Sequence, residues 1–272
     1  MPYVALIGLY FAPILCLLGA GWSYVRWKNE HENEALSERA HKNCKRFRLC
    51  PVSGTEIHLP RGITGMLLPY SRPTTLRRYA MYTITDLYDL SHTLAGEYLS
   101  CFTYPWEALS GLADCIRALG ASLDSDYLPF APEVWVHKTA HVAPTASITG
   151  PCIIGPDTEV RHCAFIRGSA LVGAGCVVGN SVELKNVILF DNVQTPHYNY
   201  VGDSILGYKS HMGAGSITSN VKSDKTHVVV TDGAERLDTG RKKVGAMLGD
   251  FVEVGCNSVL NPGTVIGRHT RI

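Results

Sequence analysis

Nine aliphatic residues, Val136, Val142, Ile148, Ile154, Val160, Ile166, Val172, Val178 and Leu184, follow one another at intervals of six without a miss. Val, Ile and Leu make up 65 of the 272 residues, so nine successive hits from a chosen start arise by chance with a probability on the order of 10⁻⁶. The interval returns at Leu248, Val254, Leu260, Ile266 and Ile272, and more briefly at Leu206 and Met212. It fits neither the helical repeat of about 3.6 residues nor the two-residue alternation of a strand with one wet face. Glycine often follows the anchor, as at Gly155, Gly173, Gly179, Gly249 and Gly255. Short strands joined by tight corners satisfy the pattern, each hexad forming one side of a coil with its anchor turned inward. The expected fold is therefore a parallel β-helix of hexapeptide repeats over residues 131–272.

Composition excludes several other classes. With 46% apolar and 18% charged residues the chain is neither disordered nor collagen-like. A net charge of +1 gives no reason to expect nucleic acid as a partner. That balance hides an asymmetry, because residues 1–80 carry 11 basic and 5 acidic side chains. Residues 1–25 have no charge and are followed by Arg26 and Lys28, a length and flank that would suit a membrane anchor. Pro2, Pro13 and three glycines argue against a regular span, and the segment to Ala80 has no sustained period. Residues 1–80 therefore read as a hydrophobic and basic N-terminal extension, with the native start expected near Met81.

Nine cysteines without a C-x-x-C pair suggest reduced thiols in the cytoplasm rather than a zinc ribbon or a disulfide framework. Cys152, Cys163 and Cys176 stand beside aliphatic residues and are expected to be small buried hydrophobes. Residues 81–130 form a short helical lead-in. One amphipathic helix is expected over 85–99, with apolar residues at 87, 90, 94, 95, 98 and 99, and His92 partly exposed on it. A second begins near Pro105 and carries Trp106, Leu109, Leu112, Ile116 and Leu119 to a stop at Gly120.

Chemistry is expected where the repeat bends its own rules. In an 18-residue coil, Arg167 and Lys185 occupy the same place on adjacent turns, each one residue past an inward anchor and so outward. Strands stack about 4.8 Å apart, and like charges that close make sense when an anion, naturally a phosphate, lies between them. After Leu184 the strict period breaks, and Asp191–Asp203 is expected to interrupt the solenoid as a functional loop. It holds His197, suited to accept a proton near neutral pH, and Tyr200.

Arg167, Val182-Glu-Leu-Lys-Asn186, His197-Tyr-Asn-Tyr-Val-Gly-Asp203 and Met212-Gly-Ala-Gly-Ser-Ile-Thr-Ser-Asn220 resemble the acetyltransferase domain of the bifunctional glucosamine-1-phosphate acetyltransferase and N-acetylglucosamine-1-phosphate uridyltransferase. That family belongs to the hexapeptide-repeat acyltransferases. Thr239-Gly-Arg-Lys-Lys-Val-Gly-Ala-Met-Leu-Gly-Asp250 is closer to the archaeal-type sugar-phosphate nucleotidyltransferases that carry the same domain. The resemblance implies a left-handed β-helix, a homotrimer with sites at subunit boundaries, and acetyl-CoA as co-substrate with an amino-sugar 1-phosphate acceptor. No metal is expected for acetyl transfer. It further implies that His197 is the general base, that the backbone N–H near Ala214 meets the oxyanion, and that Arg167, Lys185, Tyr200 and His211 bind the sugar phosphate. Asn220 would lie near the acetyl donor; Lys222, Lys225, Arg241, Lys242 and Lys243 are basic residues that could meet coenzyme A phosphates or equally line a solvated loop following the Asp232-Gly233 turn.

Three positions depart from the family pattern: His211 stands where relatives have Asn, Val221 where the uridyltransferase type has Tyr, and Cys256 where it has Ser. The chain also ends at Ile272 within a repeat, so the solenoid reads as truncated at its C-terminus. Residues 1–130 show no Gly-rich nucleotide loop followed by Thr-Arg, so nucleotidyl transfer is not expected of this chain. Two alternatives come from other classes. A solenoid carbonic anhydrase would need histidines five apart, which the sequence lacks. A non-catalytic scaffold or sugar-phosphate-binding module would use the same coil without the transfer step.

Overall fold

The computed structural model describes residues 81–233 and 235–272. The expected N-terminal extension, the anchor over 1–25 and much of the argument for a start near Met81 lie outside the described residues. Among the described residues no helix is long and apolar enough to cross a membrane.

Short parallel strands stack on three faces of a β-helix, left-handed as the hexapeptide fold class requires. The first face carries seven strands, from Val134–His137 through Cys152–Ile154 and Ala170–Val172 to Thr264–Ile266. The second runs from His141–Val142 to Glu253–Val254, and the third from Ser147–Ile148 to Val259–Leu260. Strands on these faces pair in parallel with the neighbouring coils, on both sides within the stack and on one side at its ends, so most strand amides find their acceptor one coil away rather than within their own segment. An antiparallel strand, Tyr127–Ala131, covers the starting edge.

The anchors end their strands and point inward as expected. Ile154, Val160, Ile166, Val172, Val178 and Leu184 are all buried, whereas Val142 and Ile148, in the first coil, are only half-buried because no coil lies below them. Most corners turn through a single residue with positive φ. One ladder is Asp157, Gly175, Asn192, Lys209, Phe251 and His269; a second is Cys163, Ser181, Tyr198, Gly215 and Asn257; the third includes Ser169, Asn186 and Asp203. Each non-glycine in that region costs roughly 1 kcal/mol, offset by the unbroken ladders on either side. Cys163 is thereby exposed, contrary to expectation, since a corner residue points its side chain outward. Cys152 and Cys176 are buried, which pushes both thiols up to about 12.

The break after Leu184 is not an interruption. Val201 pairs with Leu184, Thr195 with Val178 and Leu206 with Leu189, so the coil continues with 17 residues per turn instead of 18. The residue is lost at the third corner, where Glu183–Leu189 and Tyr200–Leu206 run as single strands around the bend, with Asn186 and Asp203 at the turn. Polar residues there mislead a hydrophobic-period reading because they occupy outward and corner positions. The true departure comes one coil later. Thr218 and Leu248 bracket an insertion containing the antiparallel hairpin Val229–Asp232 and Glu235–Asp238, after which Met247 resumes the register against Ile205.

The lead-in is more broken than the single helix expected over 85–99. It comprises an α-turn at Ile84–Leu87, a 3-10 turn at Leu90–His92 and an α-helix at Gly96–Ser100. Asp86 closes a capping box with Thr83 and Asp89 accepts from the Ser91 N–H, so local side-chain caps restart the chain twice. The second helix is likewise divided at Gly111, into 3-10 Pro105–Ser110 and α Leu112–Gly120. These pieces are docked on the coil. Tyr88 packs on Phe190, and buried Asp250 accepts from the Asp89 and Tyr208 N–H groups while pairing with Arg268.

Candidate active site at the third face

The third corner gathers the charged residues. Ile166 is in register with Leu184, which stacks Arg167 directly below Lys185, and Lys185 is in register with Gly202. The expected arrangement of two cations around a shared anion is not what the side chains adopt. Arg167 pairs with Glu183 at 2.6 Å, and Lys185 lies 3.0 and 3.1 Å from the two oxygens of Asp203. Each cation of this stacked pair is thus neutralised by a neighbouring carboxylate, as like charges a strand spacing apart require.

Asp203 is the hub of this cluster and was not legible from the repeat. Although buried, it accepts from Lys185 Nζ, from Asn186 Nδ2 at 2.8 Å and from Asn220 Nδ2 at 2.6 Å. The same Asn220 amide lies 3.1 Å from the Tyr200 hydroxyl. Burial, and then the negative charges of Asp203 and Glu183, push the Tyr200 phenol above its ordinary value, so it stays protonated. A methyl on Gly202 would come within 2.5 Å of that hydroxyl and 2.9 Å of the Asn220 amide. Glycine in the Arg167–Lys185 column is what leaves room for the pair.

The opposite edge of the same face holds His197. It ends the second-face strand Gln194–His197 and is exposed. Its carbonyl accepts the Gly215 N–H at 3.0 Å, which brings the Ala214–Gly215 turn of the next coil against it. The Ala214 N–H has no acceptor among the described residues. Buried Asn199 ties the two coils together, its Oδ1 accepting from the His197 N–H at 3.2 Å and its Nδ2 donating to Gly213 O and to Ser216. Sequence reasoning passed over Asn199 because a lone buried amide has no periodic signature.

The remaining expected residues lie further away. His211 faces outward on the second face between Gln194 and Glu253, three residues before the Ala214 turn, and is not brought into either cluster. Lys222 and Lys225 belong to the inserted loop. Lys222 Nζ donates to Thr226 Oγ1 at 2.6 Å and borders an open cleft of about 480 Å³ that Ser219, Val221, Arg236 and Pro262 also line. Among the described residues no three His, Cys, Asp or Glu side chains converge on a metal position.

Residues 148–269 match the family model described as the GMPPB C-terminal domain. A bifunctional sugar-1-phosphate nucleotidylyltransferase/acetyltransferase of Sulfurisphaera tokodaii is 31% identical over 51% of this chain and 39% of its own length. The chain resembles the hexapeptide-repeat acyltransferases. The bifunctional protein GlmU of Methanococcus maripaludis (strain C5), 29% identical, aligns with 78% of this hexapeptide-repeat chain and 52% of its own length. The chain thus spans about half or less of the curated relatives it matches. A solved hexapeptide transferase family protein from Anaplasma phagocytophilum is 20% identical, with a TM-score of 0.37 over 50% of this chain and 74% of that one.

Proposed function

We propose that the coil is an N-acetyltransferase that moves acetyl from acetyl-CoA to the amine of an amino-sugar 1-phosphate, of the glucosamine 1-phosphate type, in nucleotide-sugar biosynthesis. The observation that carries this reading is the pairing at the second corner: an exposed imidazole, His197, beside a turn whose Ala214 N–H has no internal acceptor. Acyl transfer to an amine needs those two things, a base for the ammonium proton and a fixed donor for the oxyanion.

In this reading an imidazole nitrogen of His197 takes the proton as the amine attacks the thioester carbonyl. The Ala214 N–H then meets the negative charge on the carbonyl oxygen. Collapse of the tetrahedral species breaks the C–S bond, and the departing sulfur takes the proton from the His197 imidazolium, so coenzyme A leaves as the thiol and the base is restored. Lys185, Tyr200 and Arg167 orient the sugar phosphate, Arg167 after exchanging Glu183 for phosphate, while Asn220, Lys222 and Lys225 approach the acetyl donor from the inserted loop. His211 would join the sugar site only through a neighbouring coil or subunit. Phe165, Ile217 and Val259 are exposed apolar residues of one column on this face, with Glu183 and Tyr200 between the first two, and this supports a homotrimer whose sites lie at subunit boundaries.

The test is thiol release from acetyl-CoA with glucosamine 1-phosphate. The full chain should turn over, and His197→Ala should lower the rate by about 10²–10⁴-fold. Binding of the sugar phosphate without thiol release would instead favour the non-catalytic module.

A further inference from the structure

The inserted loop returns to the coil beside Asp203. The Val244 N–H donates to Asn220 O at 3.0 Å and the Gly245 N–H to Asp203 O at 2.8 Å, so Arg241, three and four residues earlier, enters the same region. Its backbone is fixed by Val228 and Thr239. Its guanidinium is held less completely. Arg241 Nε is buried without an acceptor, while the residue as a whole is half-buried. The Asp203 carboxylate and the neutral Tyr98 phenol lie within its electrostatic reach, yet Asp203 already serves Lys185, Asn186 and Asn220, and the Tyr98 hydroxyl donates to Ala108 O. Burial pulls the guanidinium below its ordinary value.

A half-buried arginine whose Nε has no acceptor carries a desolvation cost that nothing inside the chain returns at that atom. Arg167 cannot fill the same description, because it is exposed and held by Glu183. A planar fork of donors within electrostatic reach of the carboxylate that holds Lys185 matches one chemistry well, that of a phosphate. We propose that Arg241 is a further anion-binding residue of the Asp203 centre, binding the phosphate of the sugar substrate together with Lys185 and Arg167. This rests on reading the site as one for a phosphorylated amino sugar, and it places Arg241 on the acceptor rather than on coenzyme A.

Thermal unfolding of the full chain and of Arg241→Met, with and without added anions, tests it. Without ligand, Arg241→Met should unfold at the same temperature as the wild type or higher, since a buried Nε without an acceptor has been removed. Inorganic phosphate and glucosamine 1-phosphate should raise the wild-type midpoint, and the apparent Kd for both should weaken at least tenfold in Arg241→Met. Arg241→Lys, which keeps the charge and loses the fork, should fall between. The shift given by coenzyme A should be unchanged. The proposal is overturned if phosphate gives no shift in the wild type, if Arg241→Met responds to phosphate as the wild type does, if the variant without ligand is markedly less stable, or if only the coenzyme A shift is lost. Arg241-dependent phosphate binding with no thiol release would leave this inference standing and remove the acetyl-transfer reading instead.

Discussion

Asn199 is the residue on which the two halves of the proposed chemistry depend. One buried side chain holds the end of the His197 strand to the Gly213–Ser216 turn through four hydrogen bonds. Removing it leaves Gly213 O without this donor and frees the turn that presents the Ala214 N–H. Asn199→Ala should therefore lower kcat at least tenfold while changing KM for the sugar phosphate little, because Lys185 sits at the far corner of the face and the Tyr200 hydroxyl lies 3.1 Å from the Asn220 amide. The same substitution should cost about 1–3 kcal/mol of stability from the unsatisfied buried groups, readable in urea unfolding. A purely structural Asn199 would show the stability loss without the split between kcat and KM.

At the scale of elements, what was legible followed from periodicity. The inward anchors fixed the coil, its register and the outward position of Arg167 and Lys185, because an 18-residue repeat leaves no freedom in which side chain faces the core. Local capping was less legible: Thr83, Asp89 and Gly111 break the lead-in into short turns that an amphipathic pattern reads as continuous helices. The Asp191–Asp203 stretch looked like a loop because the third corner drops a residue and fills with Asn186 and Asp203, polar groups satisfied by partners on other coils. Such partners are distant in sequence and leave no local trace. Asp250, which holds the lead-in to the coil, is another case. Asp250→Ala removes the acceptor for the Asp89 and Tyr208 N–H groups and strands Arg268, so equilibrium unfolding should show a loss of about 3–5 kcal/mol.

For the whole molecule, the exposed column Phe165, Ile217 and Val259 sets the expectation for assembly. Apolar side chains in line on a flat strand face are rarely left to water. Sedimentation velocity should give a particle of three times the 29.7 kDa chain, and Phe165→Glu should shift it toward the monomer; a wild-type monomer would remove the shared-site arrangement. The inserted hairpin has a different bearing. It leaves the coil after Thr218 and returns by Ala246 at one corner, and the ladders on all three faces run on across the gap as though nothing had been added. Its length can consequently vary without any re-registration of the solenoid, although Val228 and Val230 are buried against Gly263 of the coil. The segment that brings Arg241 to Asp203 is thus a cassette, and a lineage could exchange one acceptor for another by rewriting it while the barrel of coils that holds His197 stays untouched.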